Sequence, residues 1–520
     1  MCSSDLVPKP LSDIIMKLLA KSPEERYQNG ISLKMDLQRC LTQLQVHGHI
    51  VELPFETIHP EKLHIPDKLY DREQKIASLM EAWEDVKRGI KKIVTITGEV
   101  GSGKSSLVKK TATLFKEQGA FFIEGKFSFQ TRDIPYSAFI QALHSLACQM
   151  LMESQSQVKA WKEKLAEELG SSLPLLAHLV PIFRPFLDAH SPVAEISHDE
   201  AVGRLYHFFH NFIKAIASKS RPLVMFLDDL QWADKSSMAL FSNLSFESHF
   251  LLIVAYRSGK KEYPHAFLDL PKLREEKISI HAISLGSLRQ EALACLVADT
   301  FLCDLFPARE LSLSIYQKTY GNPFFVRKFL EILYQEKEVR FEIEKGVWTW
   351  DIVKIGARSV TGNVAKLMVE TVGKLPDDLS GVIEMASCIG YEFDLQTLSV
   401  ALEKSAEEVR PLLEELVEKS FVVLSEPDGR YSFSHDRIHE AVYAVIPKDK
   451  KQAFHRRIGK TLWEHGGKSP TKENMFQIVH HLNIAQESLS PQEKEELARM
   501  NLVAAQNAFS SSAYHEALGY

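Results

Sequence analysis

The stretch Lys92–Phe115, KIVTITGEVGSGKSSLVKKTATLF, constrains this chain more than any other. A β-branched apolar run leads into Gly98, Glu99, Val100, Gly101, Ser102, Gly103, Lys104, Ser105 and Ser106, and a helical pattern follows. G-x-x-x-x-G-K-[ST] between a strand and a helix is the sequence of a phosphate-holding loop. Its glycines let backbone N–H groups converge on phosphate oxygens, and the helix N-terminus adds partial positive charge. In such a loop Lys104 reaches the β- and γ-phosphates of a nucleotide, and the Ser105 hydroxyl is a ligand for Mg²⁺.

Further apolar runs occur at 120–127, 222–229, 249–256 and 278–285, separated by helical patterns. They are continuous rather than alternating, as strands buried on both faces are. The alternation predicts an α/β core, a parallel sheet with helices on both faces. The run PLVMFLDD ends in two carboxylates, Asp228 and Asp229. A buried strand end is a costly place for them unless they serve a cation. Asp228 is the candidate Mg²⁺ ligand, directly or through water, and Asp229 the group that orients the attacking water. The other reading is helix capping by one acid. Arg257 ends the next run; in a parallel sheet that places it at the ligand crevice, as a γ-phosphate sensor or as an ordinary surface arginine.

The 520 residues suffice for about three to four domains. A formal net charge of -6 speaks against nucleic acid as the main partner. Six scattered cysteines with no C-x-x-C pair fit a reducing compartment, without a zinc site or a disulfide scaffold. No apolar run approaches the ~18 residues of a membrane span, so a cytoplasmic location is expected. Both ends read as interrupted, which predicts a piece of a longer protein. Apolar stripes at Leu11, Ile14, Ile15, Leu18 and Leu19, and at Leu33, Leu37, Leu41 and Leu44, predict two amphipathic helices needing a partner.

Beyond residue 285 the pattern is helical until GVWTW at 346–350. Three helices and a hairpin around EPDGR then predict a winged helix, and the chain is helical from 450 onward. Ala505, Ala508, Tyr514, Ala517 and Tyr520 are spaced like a helical-hairpin repeat. Locally, Pro323 of GNPFF marks a helix-boundary turn, and His435 and Asp436 cap a helix.

GEVGSGKS, LDDLQWAD, AYR and GNPFFVRKFL together resemble the signal-transduction ATPases with numerous domains, the STAND branch of AAA-like P-loop NTPases. LYDREQKIASL, GKFSFQTRDIPYSAFIQAL and YSFSHDRIHEAVYAVIP are similar to the ATPase module of bacterial hybrid kinases. In those, a Ser/Thr kinase-like domain precedes the module; helical repeats, sensors and a histidine kinase follow. The resemblance implies the tail of a protein-kinase lobe at 7–44, a linker at 45–66 and an ATPase core at 67–285. A helical lid at 286–355, a winged helix at 356–447 and a TPR-like helical region at 448–520 complete it. Arg26 stands where that lobe has a stabilising arginine, but the catalytic kinase motifs are absent. The resemblance further implies that Pro323 packs on the nucleotide and that His435 contacts the ADP β-phosphate. Ser434 departs from the methionine frequent in animal and plant relatives. The implied function is a slow ATP/ADP switch with Mg²⁺, partnered by other signalling domains or proteins through the helical region. Alternatives are a LuxR-type regulator whose DNA-binding part lies beyond residue 520, or a scaffold that binds nucleotide without hydrolysis.

Overall fold

The computed structural model describes residues 8–20, 26, 30–47, 50, 63–128, 134–186, 198–243, 246–258, 278–342, 345–357, 372–373, 375–419, 421–425, 429–465, 472–510 and 513–520. The EPDGR hairpin tip, most of the 45–66 linker and the start of the winged-helix region fall largely outside them. Two compact units form: 1–73 with 286–362, and 74–285 with 363–520.

The first unit opens with α1 (Lys9–Leu18) and α2 (Gly30–His47). The stripes predicted there are only partly covered. Ile14 is buried, while Ile15, Leu19, Leu37, Leu41 and Leu44 are exposed. The buried side of α2 carries Asp36 and Cys40 instead. Arg26 is exposed, and its Nε donates to the Ala20 carbonyl at 2.8 Å.

Helices α10 (Gln290–Phe301), α11 (Leu305–Thr319), α12 (Pro323–Gln335) and α13 (Ile352–Ala357), with the hairpin β6 (Val339–Glu342) and β7 (Val347–Trp350), enclose a separate core. Leu293, Val297, Leu311, Ile315 and Leu330 lie at its centre. The segment before the predicted ATPase core joins this unit. Tyr70 packs into it and donates to Asp299 at 2.7 Å, Arg289 grips Asp71 through two nitrogens, and Arg327 donates to the carbonyls of Ile65 and Pro66. Residues 67–73, expected in the core domain, therefore pack with the helices expected to form a lid. So does α13, expected partly in the winged helix.

The second unit is built on one parallel five-stranded sheet. Its order is β2 (Phe121–Lys126), β3 (Leu223–Asp228), β4 (Phe250–Arg257), β1 (Lys92–Gly98), β5 (Ser279–Leu285). The predicted runs coincide with these strands. β1, β3 and β4 are buried almost throughout, as continuous apolar runs require. β5 departs from that expectation: most of its residues are at least partly exposed, whereas β2 at the other edge is mostly buried.

Around the sheet lie α3 (Glu73–Lys87), α4 (Lys104–Glu117), α5 (Ser137–Leu151), α6 (Gln155–Leu169), α7 (Leu173–Leu179), α8 (His198–Ile216) and α9 (Lys235–Asn243). The capping box of Ser154 and Gln157 starts α6 by satisfying two of its free backbone donors. Gly125 lets β2 approach α5: a Cβ there would lie 1.8 Å from the Ala138 carbonyl oxygen.

The winged helix follows as predicted: α14 (Asp377–Ile389), β8 (Glu392–Phe393), α15 (Leu395–Leu402), α16 (Ala406–Glu418), β9 (Val422–Ser425), β10 (Arg430–Phe433) and α17 (Asp436–Val445). Its strands form a three-stranded antiparallel sheet, with β10 between β8 and β9.

The TPR-like region is α18 (Lys448–His465), α19 (Lys472–Ile484), α20 (Pro491–Ser510) and α21 (Tyr514–Ala517). It continues the core of the sheet unit: Phe476, Val479, Met500 and Ala513 belong to the same buried cluster as Phe139 and Leu252. Ala504 and Ala508 occupy the tight positions of α20; Ala505, expected there, is only half-buried. Glu516 accepts from the backbone N–H of Ser236 at the start of α9.

Candidate nucleotide site

The parallel register brings the C-terminal ends of four strands into one row. Lys126 stands opposite Asp228, and Gly98 opposite Arg257. In such a sheet this edge is where ligands bind, because the strand-to-helix loops leave a crevice there.

The phosphate loop spans the turn from β1 to α4. Gly98 must be glycine: a Cβ would lie 2.6 Å from both the Leu285 carbonyl oxygen and the Ser102 hydroxyl. Gly101 and Gly103 have φ of 81° and 90°, which side chains disfavour. Ser102 is buried and its N–H donates to the Glu99 carbonyl at 3.3 Å; Glu99 and Ser106 are exposed, and Val100 is half-buried. Lys104 is buried, with Nζ donating to the carbonyls of Gly98 and Glu99, each at 3.0 Å. Burial draws its ammonium below the usual range, opposed by Asp229 and Asp228. Its bonds go to the loop's own carbonyls, so a phosphate would take over this lysine without a competing ion pair being broken.

Ser105 Oγ donates to Asp228 Oδ2 at 2.5 Å, across 123 residues of sequence. Asp228 Oδ1 accepts the N–H of Asp229 at 2.9 Å. A hydroxyl and a carboxylate side by side are hard oxygen donors, the set Mg²⁺ takes together with water and phosphate. The donor set therefore fits the ion expected from the sequence. Among the described residues no cluster of three or more His, Cys, Asp or Glu side chains forms another metal site.

Asp229 is nearly buried, with φ of 55°. Its carboxylate accepts from Gln231 Nε2 at 2.6 Å and faces Lys126 Nζ at 3.6 Å. Burial first, then Asp228 and Asp436, push its carboxyl up to about 7; Lys126 and Gln231 pull the other way. Gln231 Oε1 also accepts the N–H of Arg257 at 3.2 Å, which links the ends of β3 and β4.

The winged helix closes on this row. Asp436, the first residue of α17, bonds Lys126 Nζ at 2.6 Å, and Glu440 one turn later bonds the Arg257 guanidinium at 2.7 Å. Burial acts to raise the Asp436 carboxyl, but the adjacent Lys126 ammonium outweighs it and holds the acid down at about 2. Lys126 also lies 4.1 Å from the centre of the Tyr391 ring. His435 caps α17, its Nδ1 accepting the Arg437 N–H at 3.1 Å, as its local reading had it. Pro323 belongs to the other compact unit, at the first position of α12, behind the Asn322 cap.

Lys104, Ser105, Asp228, Asp229 and Arg257 are thus brought to one edge from the ends of two strands and the start of a helix. Lys126, Asp436 and Glu440 were not among the residues expected there. Lys126 carried the same signal that marked Asp228, a charge at the end of a buried run, but nothing in the sequence paired it with residue 436.

Residues 68–254 match the AAA ATPase domain family. Over 98% of its length the chain is 26% identical to hybrid signal transduction histidine kinase G of Dictyostelium discoideum, covering 19% of that protein. Over 98% of its length it is also 22% identical to the peroxide stress-activated histidine kinase mak3 of Schizosaccharomyces pombe, covering 25% of it. The chain thus spans about a fifth to a quarter of the length of these relatives, both of which are eukaryotic. A STAND protein with a tetratricopeptide repeat sensor from Pyrococcus horikoshii aligns with a TM-score of 0.47 and 13% identity, over 88% of this chain and 58% of that one. No described helix is long and apolar enough to cross a membrane. The chain is thus similar to the AAA ATPase domain over residues 68–254, and over nearly its whole length to part of signal-transduction histidine kinases.

Proposed function

We propose that this module is a slow, regulatory ATPase of the STAND kind, a switch inside a hybrid-kinase signalling protein. ADP would favour the seated winged helix, and ATP its release, with the helical region passing the change to other domains or protein partners. Lys104 and the loop N–H groups would bind the phosphates, and Ser105 and Asp228 would hold Mg²⁺. Bound there, the ion would neutralise phosphate charge. Asp229 would orient the attacking water, Arg257 would sense the γ-phosphate, and His435 would complete the nucleotide contacts.

One observation carries this reading. The winged helix places Asp436 and Glu440 on two cations of the strand-end row, in the same compact unit as the phosphate loop. Any ligand that draws on those cations must shift the seating of α17, which is the linkage a switch needs. The test is the nucleotide content and turnover of the purified chain, compared with Lys104→Ala. Tightly held ADP with slow, Lys104-dependent hydrolysis supports the switch. Nucleotide-free protein with fast turnover rejects it.

A further inference from the structure

Two cations at the strand-end row are already neutralised, and by the same helix. Lys126 Nζ is 2.6 Å from Asp436 and 3.6 Å from Asp229. Arg257 bonds Glu440 at 2.7 Å, and its guanidinium lies 5.6 Å from the centre of the Trp232 ring. Glu440 is held from its other side by Arg437 at 3.0 Å. Asp436 and Glu440 are four residues apart, so one face of α17 presents both carboxylates to the row. Their spacing matches the strands beneath: Lys126 ends β2 and Arg257 ends β4, on either side of β3 and its two acids. Lys104, by contrast, is bonded to carbonyls of its own loop.

These contacts divide the site's cations into two classes. Lys104 belongs to the loop and is available to phosphate whether or not α17 is seated. Lys126 and Arg257 are engaged by carboxylates while α17 is seated, and each such bond between ionised groups is of the strong kind. A ligand with one fewer phosphate has less need of them. A ligand whose last phosphate reaches the strand ends must compete with Asp436 and Glu440 for them.

We propose that Lys126 joins Arg257 as a reader of the terminal phosphate, and that Asp436 and Glu440 act as stand-in anions for it, so that seated α17 makes the site prefer a nucleoside diphosphate to a triphosphate. This rests on the nucleotide-switch reading and names the residues that would carry its preference. Lys126 and Glu440 are the specificity-determining residues here.

The experiment measures the affinities of the full chain for ADP and for a β,γ-imido ATP analogue, both with Mg²⁺, by competition with a fluorescent nucleotide. Glu440→Gln keeps the shape of a half-exposed side chain and removes its charge. It is expected to raise analogue affinity relative to ADP by about fivefold, the low end of coupling between two sites. In Glu440→Gln/Arg257→Ala the gain disappears, because the freed cation is gone. Lys126→Met weakens the analogue and leaves ADP nearly unchanged, and Lys126→Arg restores the analogue. The proposal is overturned if Glu440→Gln changes both affinities equally, or if the gain survives loss of Arg257. Wild-type chain that binds ADP in a Lys104-dependent way while failing these tests loses only this inference. Wild-type chain that binds neither nucleotide sinks both it and the switch.

Discussion

Acidifying the protein from pH 7.5 to 5.0 is expected to loosen the helical region by an amount its buried histidines determine. His455 on α18 and His481 on α19 lie Nδ1 to Nδ1 at 2.8 Å, and Tyr443 of α17 bonds the other nitrogen of His455 at 2.9 Å. Both rings are buried. Burial, with His480 and Lys451 nearby, brings His455 down to about 3, and burial with His455 and His480 drives His481 well below its ordinary value. Unfolded, each would titrate near 6.5. A folded value below the unfolded one means that stability is complete above pH 6.5 and falls with the pH, down to the folded value. At pH 5.0 the unfolded chain has gained protons the folded one refuses, which costs about 2 kcal/mol for His455, and His481 adds in the same direction. For His455 alone that is a sizeable share of the lower end of a whole domain's stability, about 5 kcal/mol.

Because the rings are bonded to each other, they are best removed together, as His455→Gln/His481→Gln. The opening free energy of α18 and α19 is then read by hydrogen exchange at both pH values, corrected for intrinsic rates. The wild-type advantage over the double variant should shrink by at least about 2 kcal/mol between pH 7.5 and 5.0. Titrations elsewhere cancel in that difference. An unchanged difference would falsify the reasoning, since it would mean that the rings take up protons alike in both states.

Three shorter predictions concern the fold and the site. Gly125→Ala drives a methyl to 1.8 Å from the Ala138 carbonyl oxygen, so β2 and α5 must separate; a loss of about 3 kcal/mol in urea unfolding is expected. Asn322→Ala removes the cap that accepts from Phe324 and Phe325 N–H at the start of α12, and should cost about 1 kcal/mol; an unchanged melting transition would contradict it. Asp228→Asn removes the carboxylate beside Ser105, so ATP affinity should become nearly the same with Mg²⁺ as with chelator, as a titration with each would reveal.

The local elements were largely legible. The five strand runs, the phosphate loop, the lid helices and the winged-helix hairpin each carry a short-range signal, a run of β-branched residues, a glycine pair or a turn. Boundaries between units were less so. Tyr70, Asp71 and Arg72 look like the opening of the ATPase core, yet their partners are Asp299, Arg289 and the Gly286 carbonyl. Such pairings join residues over two hundred positions apart, which no periodicity encodes. The exposed half of β5 escaped for a related reason: what covers a strand's faces is decided by tertiary packing, and β2 at the other edge is covered.

At the site the same division holds. The order of residues in the loop, glycines where φ must be positive and lysine and serine where a helix begins, is dictated by local geometry, so GEVGSGKSS alone determined where phosphates would bind and which side chains would meet them. Asp228 and Asp229 were marked by the cost of leaving carboxylates at a buried strand end. What occupies Lys126 and Arg257 was decided only when α17 settled over the strand ends, putting Asp436 and Glu440 within hydrogen-bond reach of them. A charge can announce itself in a sequence by being out of place; its partner is chosen by packing.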